Sequence, residues 1–261
     1  MKGARLGGLG PMLGKEVREV VRTGRLAVAL VAYLLVGLGS PLSAKALPLI
    51  LDLVPPEQMG GMEILLTQDP TATDALVQYA KNFQVLPVLA VLLVMGTVSG
   101  ERARNITPML LSRPLSRHAY LVAKILVAGA LHTSGTLLAA AGCALYTGIL
   151  FHPVDPAGFL ALNGLLLLFL GSTVAVTILG STALRSTGAA AGLGFVYYAA
   201  CVALAALPSL GRWSPAGLLA TASDLVAGRV PEAPIAGVAI ASGVALAALA
   251  LADRILARRE V

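Results

Sequence analysis

Charge is scarce in this sequence: 12% of its 261 residues are Asp, Glu, Lys or Arg while 57% are hydrophobic, against the roughly 25% charge of an ordinary soluble domain. Such a chain cannot dress a water-soluble globule. Cysteine is almost missing, and the two present, Cys143 and Cys201, fall inside long apolar runs, so neither a disulfide framework nor a thiolate metal site is expected. They read as small packing residues. No Gly-rich loop ending in Lys-Ser or Lys-Thr is present, so the chain holds no nucleotide by that route, and no cofactor is expected. Within the apolar runs only Lys124 and His132 are ionisable, and the shortage of carboxylates there argues against a proton or sodium relay.

What is present in abundance is apolar length. A spanning helix needs about 20 apolar residues, and six segments qualify: 26–44, 83–100, 119–151, 157–184, 188–210 and 234–252. The expected fold is an all-α polytopic membrane protein of six transmembrane helices, a single transmembrane unit over residues 1–261 with no second domain. The tripeptide Ala44-Lys45-Ala46 resembles a signal cleavage site, but the basic segment before the first run is long and contains Glu16 and Glu19, unlike a signal peptide.

The net charge of +6 does not point to nucleic acid, because the charges are sorted by membrane side rather than gathered on one surface. Fifteen of the 19 Lys and Arg residues fall on one side, leaving Lys45, Lys81, Arg212 and Arg229 on the other. The positive-inside rule then places both termini and the 101–117 loop in the cytoplasm. Lys124, near that end of its span, is expected to snorkel to the interface.

Taken in order, Pro11 to Thr23 has Leu13, Val17, Val20 and Val21 at helical spacing, with Lys15, Glu16, Arg18, Glu19 and Arg22 on the opposite face. That pattern predicts an amphipathic helix in the cytoplasmic interface, bending at Gly24. The loop 45–82 contains apolar pieces too short to span, Leu47–Val54 and Ile64–Leu66, which suit re-entrant or interfacial packing. Thr73-Asp74 is the expected start of a helix feeding the second span, kinked at Pro87. The third span exceeds the bilayer thickness. Ser214-Pro215 predicts a short helix from Ala216 to Val226, closed at Gly228. His132 is expected to make a helix-to-helix hydrogen bond, and the Gly-rich patterns at 188–192 and 237–243 to be packing surfaces.

The stretch Glu101 to Arg117, ERARNITPMLLSRPLSR, is an island of charge between apolar runs. Thr107-Pro108 reads as an N-cap followed by proline at the first helical position. The product is a short helix from Pro108 to about Arg113, with Pro114 as its stop and Ser116 capping the span that begins at Arg117. This helix shows Met109, Leu110 and Leu111 beside Arg113. Apolar side chains on an isolated polar loop have no reason to be exposed unless something covers them, so the loop is read as a docking piece in preference to the alternative, a plain basic loop obeying the positive-inside rule.

Glu101-Arg102, then Leu110-Leu111-Ser112-Arg113-Pro114, then Ser116-Arg117, resembles the loop between spans two and three of ABC-2 type transporter permeases. The amphipathic helix, the six spans and an enlarged first outer loop extend the resemblance, closest to the subfamily serving copper-enzyme maturation. Where the family usually has Gly-Thr about four residues after the Glu, this chain has Asn105-Ile106. The resemblance implies a coupling helix, with Leu110, Leu111, Ser112, Arg113 and Pro114 docking on a separate ATP-binding-cassette ATPase subunit. Glu101 and Arg102 would end span two. It further implies a second permease copy, identical or not, a prokaryotic inner membrane, export, and no catalytic or metal site in this chain. A different class, a membrane-embedded enzyme or accessory subunit acting on lipid or peptide, would need His132 to converge with an outer polar group.

Overall fold

In hydrocarbon every backbone N–H and C=O must be satisfied within its own segment, and the described residues are helical with no strand among them. The computed structural model describes residues 7–51, 69–111, 115–152, 155–207, 209–230 and 234–258. The helices are α1 (Leu9–Arg22), α2 (Arg25–Leu51), α3 (Ala72–Asn82), α4 (Leu86–Val94), α5 (Ser99–Ala103) and α6 (Ile106–Leu111). They continue as α7 (Arg117–Leu150), α8 (Pro156–Ala183), α9 (Thr187–Ala205), α10 (Gly217–Val226) and α11 (Pro234–Arg258). Six helical stretches are long and apolar enough to cross a membrane: α2, α3 to α5 taken together, α7, α8, α9 and α11. They coincide with the six apolar runs.

The differences lie at the ends and the breaks. α2 runs past the expected end at Ala44 to Leu51, through Pro41 and Pro48, so the first part of Leu47–Val54 is spanning helix; the rest of that piece, and Ile64–Leu66, lie outside the described residues. α3 starts two residues earlier than expected, because Thr71 rather than Thr73 is its N-cap. Asp74 closes a reciprocal capping box, accepting from Thr71 N at 2.8 Å while its own N–H reaches Thr71 Oγ1 at 3.3 Å. Pro87 breaks the second span as expected: its ring crowds the carbonyl four residues back, and the helix tightens into a 3-10 turn at Phe83–Val85.

α8 is the central helix, the most buried of the spans, and packs against α4, α7, α9, α10 and α11. α2 leans on α7 along a seam of small residues. A Cβ placed on Gly37 would lie 2.3 Å from the Ala139 carbonyl oxygen, and one on Gly135 would lie 2.5 Å from the Tyr33 ring. The expected packing motif at 188–192 is different in detail. Ala190 and Ala191 are buried, but added methyls on Gly188 and Gly192 would meet nothing within 4 Å. At Gly37 the α2 backbone lies directly against that of α7.

Polar cross-links stitch the spans. Tyr33 on α2 and His132 on α7 lie 2.9 Å apart through the hydroxyl and Nδ1, the helix-to-helix bond expected of this histidine. Tyr79 donates to Asn163 at 2.9 Å, and Asn82 to Ser40 at 3.1 Å. α10 begins at Gly217 rather than Ala216, because the Ser214 hydroxyl donates to the Cys201 carbonyl at 2.6 Å and accepts from Ala216 N. Gly228, at φ 68°, supplies the left-handed residue that follows α10.

Candidate functional site

The loop between the second and third spans holds α5 and α6, and its geometry turns on Asn105. That residue has φ 56°, the left-handed region for which Gly is the default and Asn the common substitute. It stands where the resembling family usually has Gly, and it lets the chain reverse between Ala103 and Ile106. α6 consequently starts earlier than expected. Thr107 is inside the helix rather than capping it, 2% exposed, with its hydroxyl within 3.5 Å of the Tyr120 hydroxyl. Leu110 packs against the core while Met109 is 64% exposed. Leu111 belongs to the helix, and Ser112, Arg113 and Pro114 lie outside the described residues.

Beneath α6 sits a buried ionic node. Lys124, expected to snorkel, instead has a side chain only 1% exposed, with its Nζ 2.9 Å from both Glu16 and Glu101 carboxylates. Tyr120, one turn earlier on α7, donates its hydroxyl to Glu101 at 2.6 Å. Lys15 bonds Glu16 at 2.9 Å and Glu19 at 2.7 Å, and also reaches Glu101. Arg104 approaches Glu19 at 3.9 Å. Three cations thus meet three carboxylates. Burial alone would lower the Lys15 pKa, but hydrogen bonds to Glu101, Glu16 and Glu19 outweigh it and raise the group above its ordinary range. The three carboxylates lie close enough together to suggest a cation site, yet the lysine ammonium groups already fill the space among them.

α1 is oriented by this node. Glu16, expected on the polar outer face, is buried beside Met12. Leu13 and Val20 pack on the core, whereas Val17 and Val21 are 51% and 54% exposed. The helix therefore meets the bundle along the border between its charged and apolar arcs. A protein-facing carboxylate is legible only in hindsight: Lys124 within a span requires a partner, and the nearest acids in sequence are at the loop.

The remaining expected residues turn inward. Arg102 donates to the Leu184 and Thr182 carbonyls at 3.1 and 3.0 Å, at the C-terminus of α8. Arg117 donates to the Leu256 and Ala257 carbonyls at 3.3 and 3.1 Å, at the C-terminus of α11. Both place positive charge where the helix dipole ends negative. Ser116 caps α7 by accepting from Ala119 N at 3.1 Å, as expected, and its own N–H reaches the Gly7 carbonyl at 3.2 Å. Ser181 on α8 accepts from the N–H groups of Val98 and Ser99. The loop is thus bonded directly to α1, α7, α8 and α11. A force applied at α6 would reach α1 and three spans through polar contacts, with little slack.

Residues 11–210 match the profile of the ABC-2 family transporter proteins, a stretch that includes most of α1, the ionic node and α6. The chain is also 31% identical over 223 residues to the uncharacterized transmembrane protein YxlG of Bacillus subtilis (strain 168), covering 82% of this chain and 83% of that one. With six helices able to cross a membrane and a family match over most of its length, the chain is a multi-pass membrane protein that belongs to the ABC-2 transporter family.

Proposed function

We propose that the protein is the membrane-spanning permease subunit of an ATP-binding-cassette exporter, driven by a separate ATPase subunit that docks on α6. The observation that carries this reading is the split of two neighbours on one short helix: Leu110 faces the core and Met109 faces out. A helix with Leu110 anchored on the core and Met109 largely exposed suits a partner's groove. ATP binding in the partner would shift α6, and the ionic node would pass that shift to α1, α7 and α8. This is a two-state device, so contacts such as Lys124 to Glu16 and Glu101 would differ in strength between the states.

The same reading places both termini and the loop in the cytoplasm, in a prokaryotic inner membrane, with export following from the family resemblance. α1 would lie in the interface, Val17 and Val21 in lipid and Arg18 and Arg22 in water. A second permease copy, identical or not, would complete the path, and α9 and α11, each 22% buried, leave the most apolar span surface for it. The finer resemblance to copper-enzyme-maturation permeases rests on the size of the first outer loop. The enzyme reading has less support, since His132 bonds Tyr33 within the bundle.

The test is purification of the tagged full-length protein in mild detergent, with identification of what comes with it. An ATP-binding-cassette ATPase is expected with the parent. Met109→Asp, which replaces about 2 kcal/mol of apolar burial with a charge, should lower its recovery about 30-fold without altering membrane insertion. A folded parent that brings no ATPase would overturn the proposal.

A further inference from the structure

At the end of the bundle away from the termini, cations are rare, and they are not scattered. Of the four Lys and Arg residues there, Lys81, Arg212 and Arg229 line one cavity of about 820 Å³ between α3, the end of α9 and α10. Asp224, on the same wall, pairs with Arg229 at 2.8 Å. Among the described residues no carboxylate stands within ion-pair distance of Lys81 or Arg212. Arg212 lies over the Trp213 ring at 5.7 Å, and Trp213, half exposed, has the amphipathic character of a residue at headgroup depth.

The cavity does not end at its cations. Lys81 and Gln84 also line an adjoining groove of about 650 Å³ along α2 and α4, whose walls include Leu35, Val36, Val85 and Val88. One mouth is therefore basic and the continuation is apolar, with Lys81 at the junction. A small soluble anion would use the first part and leave the second empty. A molecule with an anionic head and an apolar chain uses both.

We infer that this cavity is a binding site for an anionic phospholipid, its phosphate held by Lys81, Arg212 and Arg229 and an acyl chain lying in the groove along α2 and α4. Lysine and arginine are the side chains suited to phosphate oxygens, and among the described lining residues three cations face one carboxylate, Asp224, which provides the charge complementarity. The site is independent of the ATPase docking on α6, at the opposite end of the bundle.

The test uses the full-length protein in neutral detergent and native mass spectrometry with added phosphatidylglycerol, phosphatidylcholine or inorganic phosphate. Phosphatidylglycerol should be retained and phosphatidylcholine not. The double substitution K81Q/R212Q, at exposed positions, should weaken retention about 30-fold, as expected for two basic groups near a headgroup. Lys45→Gln, which removes the fourth cation of the same end, placed over the Phe151 ring, should leave retention within about twofold of the parent. Equal losses in both variants, no loss in either, or inorganic phosphate bound as tightly as the lipid would overturn the assignment.

Discussion

Lys124→Met is expected to destabilise the protein by about 3–5 kcal/mol, the cost of breaking a buried ion pair by removing one member, and to lower the unfolding midpoint in mild detergent by roughly 10 °C. Methionine fills much of the same volume, so the loss is electrostatic rather than steric. Without the ammonium group, Glu16 and Glu101 keep Lys15 as their shared cationic partner but lose the buried one, in a site where both carboxylates are nearly sealed from water. Combining Lys124→Met with Glu101→Gln removes one charge of each sign, and the double variant should recover most of the lost stability. That recovery distinguishes a charge defect from a packing defect. A single variant melting within about 2 °C of the parent would refute the node's structural role.

The second large effect is expected at the seam between α2 and α7. Gly37→Ala puts a methyl 2.3 Å from the Ala139 carbonyl oxygen, a backbone atom that cannot rotate away. The two helices must separate, at a cost of about 3 kcal/mol or more. Gly39→Ala, half a turn away on the same helix, meets nothing within 4 Å and should be neutral or slightly stabilising through helix propensity. Because both substitutions change propensity alike, the difference in their unfolding midpoints isolates the packing. Equal behaviour would mean that α2 does not lie against α7 as described.

The six spans were legible from the sequence because apolar length is a property of the chain itself, needing no knowledge of neighbours. Ends set by local chemistry, such as the Ser116 cap and the positive φ of Gly24, were equally readable. What escaped the sequence was the meaning of individual charges. Glu16 sits in a pattern that looks like a solvated face, and Lys124 is near enough to a helix end to snorkel. Only the approach of α1 to α7 turns both inward. Arg102 and Arg117 escaped for the same reason, since the carbonyls they cap belong to helices about 80 and 140 residues later in the chain. Thr107 was misread as a cap because the left-handed turn at Asn105 is a tertiary choice, made possible by the residue but not dictated by it.

These inward contacts divide the loop's labour. Glu101, Arg102, Thr107, Leu110, Ser116 and Arg117 fix it to the bundle, whereas Met109 is 64% exposed. The most direct measurement of the docking claim is therefore positional. A photoreactive amino acid placed at 109, and separately at the fully exposed Val230 of the opposite end, would be activated in native membranes and the adducts identified. The account predicts an adduct with an ATP-binding-cassette ATPase from position 109 and none from position 230. A folded protein that gives no such adduct at 109, or gives it equally from 230, would contradict the account.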